Sequence, residues 1–305
     1  MLSFSKDKKK AIFVEMILKK DQKSNLQLKI FFKNKVVLIT GGAGSVGTAL
    51  AKKILEFPVR AVRVLDIDEH SLFQLEHSID DSRLRLLLGN VCDLNRLEMA
   101  GSDVDIIFHT AAIKNLEISE FNPFETIETN IYGTMNMIKM SMKNKPAKLF
   151  NISTDKAVDP TTLYGSTKQI GERLMNWASM HINSVKFATI RFGNVIETRG
   201  NVFELWKEQT QKNHPITITD NKMKRYFFHI DDAIDFVLQC VLISKGGETF
   251  VPKMKLYDIV ELANNISKNH KLIGSRKGEK LSEILINDTE KQTAVEKDNM
   301  WIINP

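Results

Sequence analysis

An apolar pentad, Val36-Val37-Leu38-Ile39-Thr40, runs straight into Gly41-Gly42-Ala43-Gly44-Ser45-Val46-Gly47, and this junction constrains the fold more than any other stretch of the chain. A continuous apolar run closed by turn residues reads as a strand buried on both faces, which requires a sheet covered by helices on both sides. Gly41, Gly44 and Gly47 then recur at three-residue spacing. Without side chains there the backbone can turn sharply, and the helix that follows can offer its first N–H groups to an anion at the positive end of its dipole. A glycine triplet alone is a common turn. Between a strand and a helix it marks the pyrophosphate site of a dinucleotide, with Gly41, Gly44, Ser45, Val46 and Gly47 as the cofactor-binding loop.

The alternation continues beyond this unit. Strand-like runs at 61–65, 84–88, 104–109, 148–152 and 185–192 are separated by helical spacing, notably at 48–57, 130–142 and 164–181. Six strands with intervening helices predict an α/β chain with a Rossmann, doubly wound parallel sheet. From Gly193 onward the pattern breaks, while 229–243 reads again as a helix packed on the sheet. The expected organisation is therefore a basic N-terminal extension, 1–32, and a dinucleotide-binding domain, 33–192, to which 227–245 returns. Segments 193–226 and 246–305 form a smaller, discontinuous substrate-binding region.

Charge matters because the net value of +6 suggests a nucleic-acid binder until it is located. Residues 1–30 hold eight lysines against three acids, so this leader carries +5 of the total +6 and the main body is nearly neutral. That distribution argues against a nucleic-acid face and leaves a solvated or packing leader, with weak contact to an anionic membrane surface or a partner as the lesser expectation. Its apolar run, Ala11 to Leu18, is broken by Glu15, is too short to span a bilayer and lacks a small-residue cleavage site, so the expected location is cytoplasmic. Cys92 and Cys240, far apart in sequence, suit a reducing compartment, and the scattered histidines show no metal-ligand spacing. Trp177, Trp206 and Trp301 are expected as core or packing residues.

Asp66 ends the second strand-like run. A carboxylate there can accept both hydroxyls of a ribose and would repel a 2′-phosphate, and no arginine follows it directly, so NAD is favoured over NADP. Ser153-Thr154-Asp155-Lys156 follows the fifth run, and Tyr164-Gly165-Ser166-Thr167-Lys168 opens the next helix. Tyr164 and Lys168, four residues apart, share a helical face. An ammonium beside the phenol favours tyrosinate, and Thr154 can bond the same substrate hydroxyl, so the three can take an alcohol proton while hydride leaves for the cofactor.

This combination resembles the extended short-chain dehydrogenase/reductases. The string STDKAVDPTTLYGSTK is similar to that of the CapD-like polysaccharide-biosynthesis proteins, of the UDP-N-acetylglucosamine 4,6-dehydratase type, and the likeness extends over HTAAIKNLEISEFNPFETIETNIYGT, RFGNVIETRGNVFELW, MKRYFFHIDDAIDFVL and GEKLSEIL. There are departures: Asn90 stands where the family places an acid, Lys277 replaces a proline and Ser282 a histidine. Tyr164 is similar to the inverting members, whereas Asp66 is similar to the NAD-using retaining ones.

The resemblance implies C4 oxidation of a UDP-N-acetylhexosamine, C5 deprotonation by Lys156, protonation of the departing C6 hydroxyl by Asp155, and hydride return to C6. Those tasks need a neutral lysine and a protonated aspartate. Asn90, Val91, Ala111 and Ala112 would complete the cofactor groove. Lys114, Asn194, Arg199, Arg225 and Glu279 would hold the sugar nucleotide, and homo-oligomers are the family habit. The alternatives are a UDP-sugar 4-epimerase, for which Asp155 and Lys156 have no essential task, and a non-catalytic dinucleotide-binding subunit.

Overall fold

The computed structural model describes residues 24–305, so the lysine-rich start of the leader lies outside the described residues. The helical stretch 24–32 ends on Phe32, which is fully buried and stacks on Phe57 with ring centroids 5.3 Å apart. The strands, in chain order, are β1 (Val36–Thr40), β2 (Ala61–Asp66), β3 (Leu84–Leu88), β4 (Ile106–His109), β5 (Lys148–Thr154), β6 (Lys186–Phe192) and β7 (Asn194–Val195). They continue with β8 (Ile216–Ile218), β9 (Lys224–Phe228), β10 (Thr249–Pro252), β11 (Leu256–Asp258), β12 (His270–Leu272), β13 (Ala294–Lys297) and β14 (Met300–Ile303).

Nine of these strands form one sheet in the order β13-β14-β10-β6-β5-β4-β1-β2-β3, parallel from β10 to β3. The order reverses at β1, where β4 lies on one side and β2 on the other, and a crevice opens there at the carboxyl ends of the strands. All five side chains of β1 are buried, as the apolar pentad requires. One core layer joins the sheet to the helices Ser45–Leu55 and Ile230–Ile243, and a second lies under the helices Leu94–Ala100, Gly133–Asn144 and Leu163–His181. The doubly wound α/β architecture is therefore present.

Four expectations differ from the structure. Segment 246–305 does not stay on the substrate side: β10 joins the main sheet beside β6, and β14 and β13 extend it in antiparallel fashion. Runs as short as Thr249–Pro252 carry too little periodicity to announce a strand. The helix expected over 130–142 is preceded by a π-helical turn, Glu128–Tyr132, that points Asn130 inward. The fifth strand runs on to Thr154, which places Ser153 and Thr154 in the sheet. Trp177 is 48% exposed and stacks on His181 instead of entering the core, whereas Trp206 is fully buried and centres a small cluster with Ile216, Ile218 and Phe227.

Candidate active site

Gly41 has φ +65°, and a Cβ there would lie 2.5 Å from the Ala111 Cα, so the chain could not turn this way with any other residue. A Cβ on Gly47 would meet the Gly42 Cα at 2.5 Å, and the Gly44 N–H donates to the Gly41 carbonyl at 3.1 Å. Gly44 is also the N-cap of the helix Ser45–Leu55 and offers no side-chain cap. The first N–H groups of that helix are thus left to whatever lies in the crevice, and a dinucleotide pyrophosphate fits this cradle. Asp66, half-buried at the end of β2, holds the rim: its Oδ2 accepts from the Ala43 N–H at 3.0 Å and its Oδ1 from the Asp68 N–H at 3.1 Å. Asn90 is exposed and turns its Oδ1 onto the Cys92 N–H at 2.9 Å, while Val91 is buried.

Every expected site residue except Asp155 lines one cleft of about 1530 Å³, from Gly41, Asp66, Val91, Ala111 and Ala112 at one end to Arg225 and Glu279 at the other. Asp155 lies directly behind the wall and is fully buried. Its Oδ1 accepts from the Thr154 hydroxyl at 2.9 Å and from the Lys156 ammonium at 3.0 Å, and its Oδ2 has no partner. Both donors face the cleft. Lys156 also reaches the Asn194 Oδ1 at 3.4 Å, so Asn194, expected with the sugar nucleotide, stands against the Asp155–Lys156 pair.

Tyr164 is half-buried at the head of its helix, which Thr162 caps by accepting from the Gly165 N–H. Burial pushes its phenol well above the ordinary range and the Asp155 charge adds to this, while a hydrogen bond with Thr154 opposes both. Burial pulls Lys168 down to about 8, against the raising charge of Glu172, and its ammonium donates to the Ile152 carbonyl at 2.6 Å. Desolvation is the largest influence on both groups, and the bond to Ile152 takes one of the three N–H donors of the Lys168 ammonium.

Arg225, Glu279 and Arg199 depart from a simple diphosphate clamp. Arg225 donates to the Glu279 Oε1 at 3.1 Å and to the Lys224 and Leu281 carbonyls, so two of the expected substrate ligands hold each other. Arg199 is not beside them. Its guanidinium lies against the Ala43 carbonyl and the Ser71 hydroxyl, at the glycine-loop end. Lys114 donates to the Arg199 carbonyl at 3.2 Å.

Three supports carried no local signal in the sequence. His109 is fully buried between the Thr40 hydroxyl, 2.7 Å from its Nδ1, and the Thr134 hydroxyl, 3.2 Å from its Nε2. Burial, aided by Lys168, lowers its pKa to about 3 and keeps it neutral. Asn130 grips both the N–H and the carbonyl of Ile113 and fixes the loop that bears Lys114. Arg191, on β6, is clamped between Glu172 and Glu290 under Ser153, next to Thr154.

Residues 37–305 match a family described as polysaccharide biosynthesis protein. An uncharacterized membrane protein of Methanocaldococcus jannaschii is 39% identical over 290 residues, covering 90% of this chain and 87% of that protein. A UDP-N-acetylglucosamine 4,6-dehydratase (inverting) of Campylobacter jejuni is 36% identical over 280 residues, with 90% and 84% covered. A UDP-glucose 4-epimerase of Rickettsia bellii is 34% identical, with 89% and 83% covered. The X-ray structure of Pen from Bacillus thuringiensis superposes with a TM-score of 0.86 at 35% identity, over 90% of this chain and 88% of that one.

Proposed function

The chain belongs to the polysaccharide biosynthesis protein family, and on that premise we propose that it is a nucleotide-sugar 4,6-dehydratase that uses NAD to convert a UDP-N-acetylhexosamine, UDP-GlcNAc first, to its 4-keto-6-deoxy form. The observation that carries the reading is the Asp155–Lys156 pair at 3.0 Å, set against the cleft wall beside Thr154 and Tyr164. An epimerase has no need of such a pair at that place. The Asp66 carboxylate at the end of β2 supports NAD over NADP, because it suits ribose hydroxyls and repels a phosphate.

When bound, the nicotinamide ring supplies the hydride acceptor and donor. Tyr164, whose ionised form the Lys168 ammonium and a bound, positive nicotinamide ring would favour against the cost of burial, takes the C4 hydroxyl proton, and Thr154, beside it on the cleft wall, orients that hydroxyl. A C4 ketone acidifies the C5 proton, which Lys156 removes. The ion pair between Lys156 and Asp155 and the neutral pair that the chemistry needs differ only in the position of one proton along the 3.0 Å contact. A single internal transfer therefore readies both groups: a neutral amine for C5 and a carboxylic acid for the C6 hydroxyl. Because Asp155 lies behind the wall, Thr154 and Lys156, which both bond its Oδ1, are the groups that can transmit its proton to the departing water. The net redox change is zero, so the dinucleotide need not leave between turnovers.

The test is incubation of the purified protein with UDP-GlcNAc in D₂O, followed by NMR and mass spectrometry. Loss of water with a C6 methyl signal and deuterium at C5 supports the dehydratase, and the ring couplings assign retention or inversion. An unchanged mass with an axial C4 hydroxyl would make it a 4-epimerase, the second reading, which the Rickettsia relative favours.

A further inference from the structure

We infer that Arg199 belongs to the dinucleotide half of the cleft, as a strap across the adenosine end that holds the pyrophosphate of the cofactor and slows its release. The inference rests on the dinucleotide reading above and is independent of which sugar reaction follows.

Four hydrogen bonds tie this one residue to three separate segments of the dinucleotide half. Its Nη2 donates to the Ala43 carbonyl at 2.5 Å and its Nη1 to the Ser71 hydroxyl at 2.9 Å. Its backbone N–H donates to the Ser45 hydroxyl at 2.9 Å, and its carbonyl accepts from Lys114 at 3.2 Å. Ala43 and Ser45 belong to the glycine loop, and Ser71 lies in the first turn of the helix Glu69–Ser78. These are the two walls of the groove that begins at Asp66, and the Ala43 residue that Arg199 holds by its carbonyl is held from below by Asp66 through its N–H. The guanidinium therefore crosses the groove from wall to wall. The chain that carries it comes from the other half: β7 precedes it, and the helix Val202–Gln211 follows, both lining the sugar end.

The charge balance points the same way. A guanidinium has five donors. Both side-chain acceptors seen here are neutral, and no carboxylate among the described residues lies within ion-pair distance of Arg199. Lys114 adds a second cation beside it: burial and the Arg199 charge lower its pKa, against the raising charge of Glu204, whose carboxylate accepts from the Gly200 N–H. Two crowded cations next to an uncapped helix N-terminus form a site for a doubly charged anion, and charge-assisted contacts to phosphate are the strong kind. Glu197 and Gly200, at φ 66° and 72°, flank the strap in left-handed conformations, and a Cβ on Gly200 would meet nothing within 4 Å. The segment thus has open space at its turn, as a strap that must admit the cofactor requires.

The pyrophosphate of the sugar nucleotide has the same chemistry, so the experiment separates the two sources. Holoprotein loaded with isotopically labelled NAD is chased with unlabelled NAD and the retained label is followed by mass spectrometry, for wild type, Arg199→Ala and Arg199→Lys. UDP affinity is measured calorimetrically on the same preparations, with melting curves to verify the fold. Release should accelerate at least about tenfold in R199A, as loss of one or more charge-assisted hydrogen bonds implies, and less in R199K, with UDP affinity within about twofold of wild type. NAD release within about twofold of wild type in a folded R199A overturns the inference, and weakened UDP with unchanged NAD release returns Arg199 to the sugar nucleotide. A wild-type protein that binds no NAD would instead refute the dinucleotide reading itself.

Discussion

Replacing Arg191 by methionine tests whether the floor of the site depends on a single cation. All five of its donors are engaged: Nε and Nη2 to Glu172 at 3.0 and 2.6 Å, Nη2 and Nη1 to Glu290 at 2.7 and 2.9 Å, and Nη1 to the Leu285 carbonyl at 3.0 Å. Its side chain is 3% exposed and that of Glu172 9%, so water cannot replace the lost partner. Breaking a buried pair from one side costs about 3–5 kcal/mol, because the remaining charge stays desolvated. Against a typical total of roughly 5–15 kcal/mol, that is a large share. Urea denaturation followed by tryptophan fluorescence should therefore show R191M destabilised by about that amount. The double variant R191M/E172M should lose less than the sum of the two single changes, since removing both charges leaves only the half-buried Glu290 without its partner. A cost below about 1 kcal/mol for R191M, or simple additivity in the double variant, would refute the argument that the desolvated carboxylates set the penalty.

Lys168 provides a pH test. Its folded pKa of about 8 lies below the ordinary 10.5, so the buried ammonium costs ~3 kcal/mol below pH 8, and the cost fades as pH rises toward 10.5. In cofactor-free protein, wild type should thus gain about that much on K168M between about pH 7 and 10.5, and a difference that stays flat with pH rejects the reasoning. Asp155→Asn removes the proton needed for elimination at C6 while leaving Tyr164 and Thr154 in place. It should build up reduced nicotinamide absorbance on mixing with UDP-GlcNAc without forming the 6-deoxy product; product formation at the wild-type rate would exclude Asp155 from the elimination. In Gly47→Ala the added Cβ would stand 2.5 Å from the Gly42 Cα, so the loop must shift and NAD affinity should fall at least about tenfold by calorimetry, whereas unchanged affinity would move the cofactor elsewhere.

What could be read from the residues alone was whatever local backbone chemistry dictates. The glycine loop was legible because φ and close approach at Gly41 and Gly47 depend on residue type, and Tyr164 with Lys168 because helical spacing alone puts them on one face. Val36–Thr40 was legible because only a strand covered on both sides buries five consecutive side chains. The illegible parts depend on partners that the fold brings from afar. Arg191 finds Glu290 across 99 positions, and Arg199 finds Ala43 across 156, with no periodicity to announce either. A motif marks where a side chain sits along the chain, not which wall of the cleft it meets. Asn194 and Arg199 lie only five residues apart in what reads as one substrate motif, yet one stands against Lys156 and the other over the glycine loop. Between them, Glu197 turns the backbone through a left-handed conformation, and that single turn divides the motif between the two halves of the cleft. Under the proposed assignment this segment joins the NAD half of the cleft to the sugar-nucleotide half, and for that reason the NAD release rate of R199A is best measured with and without UDP.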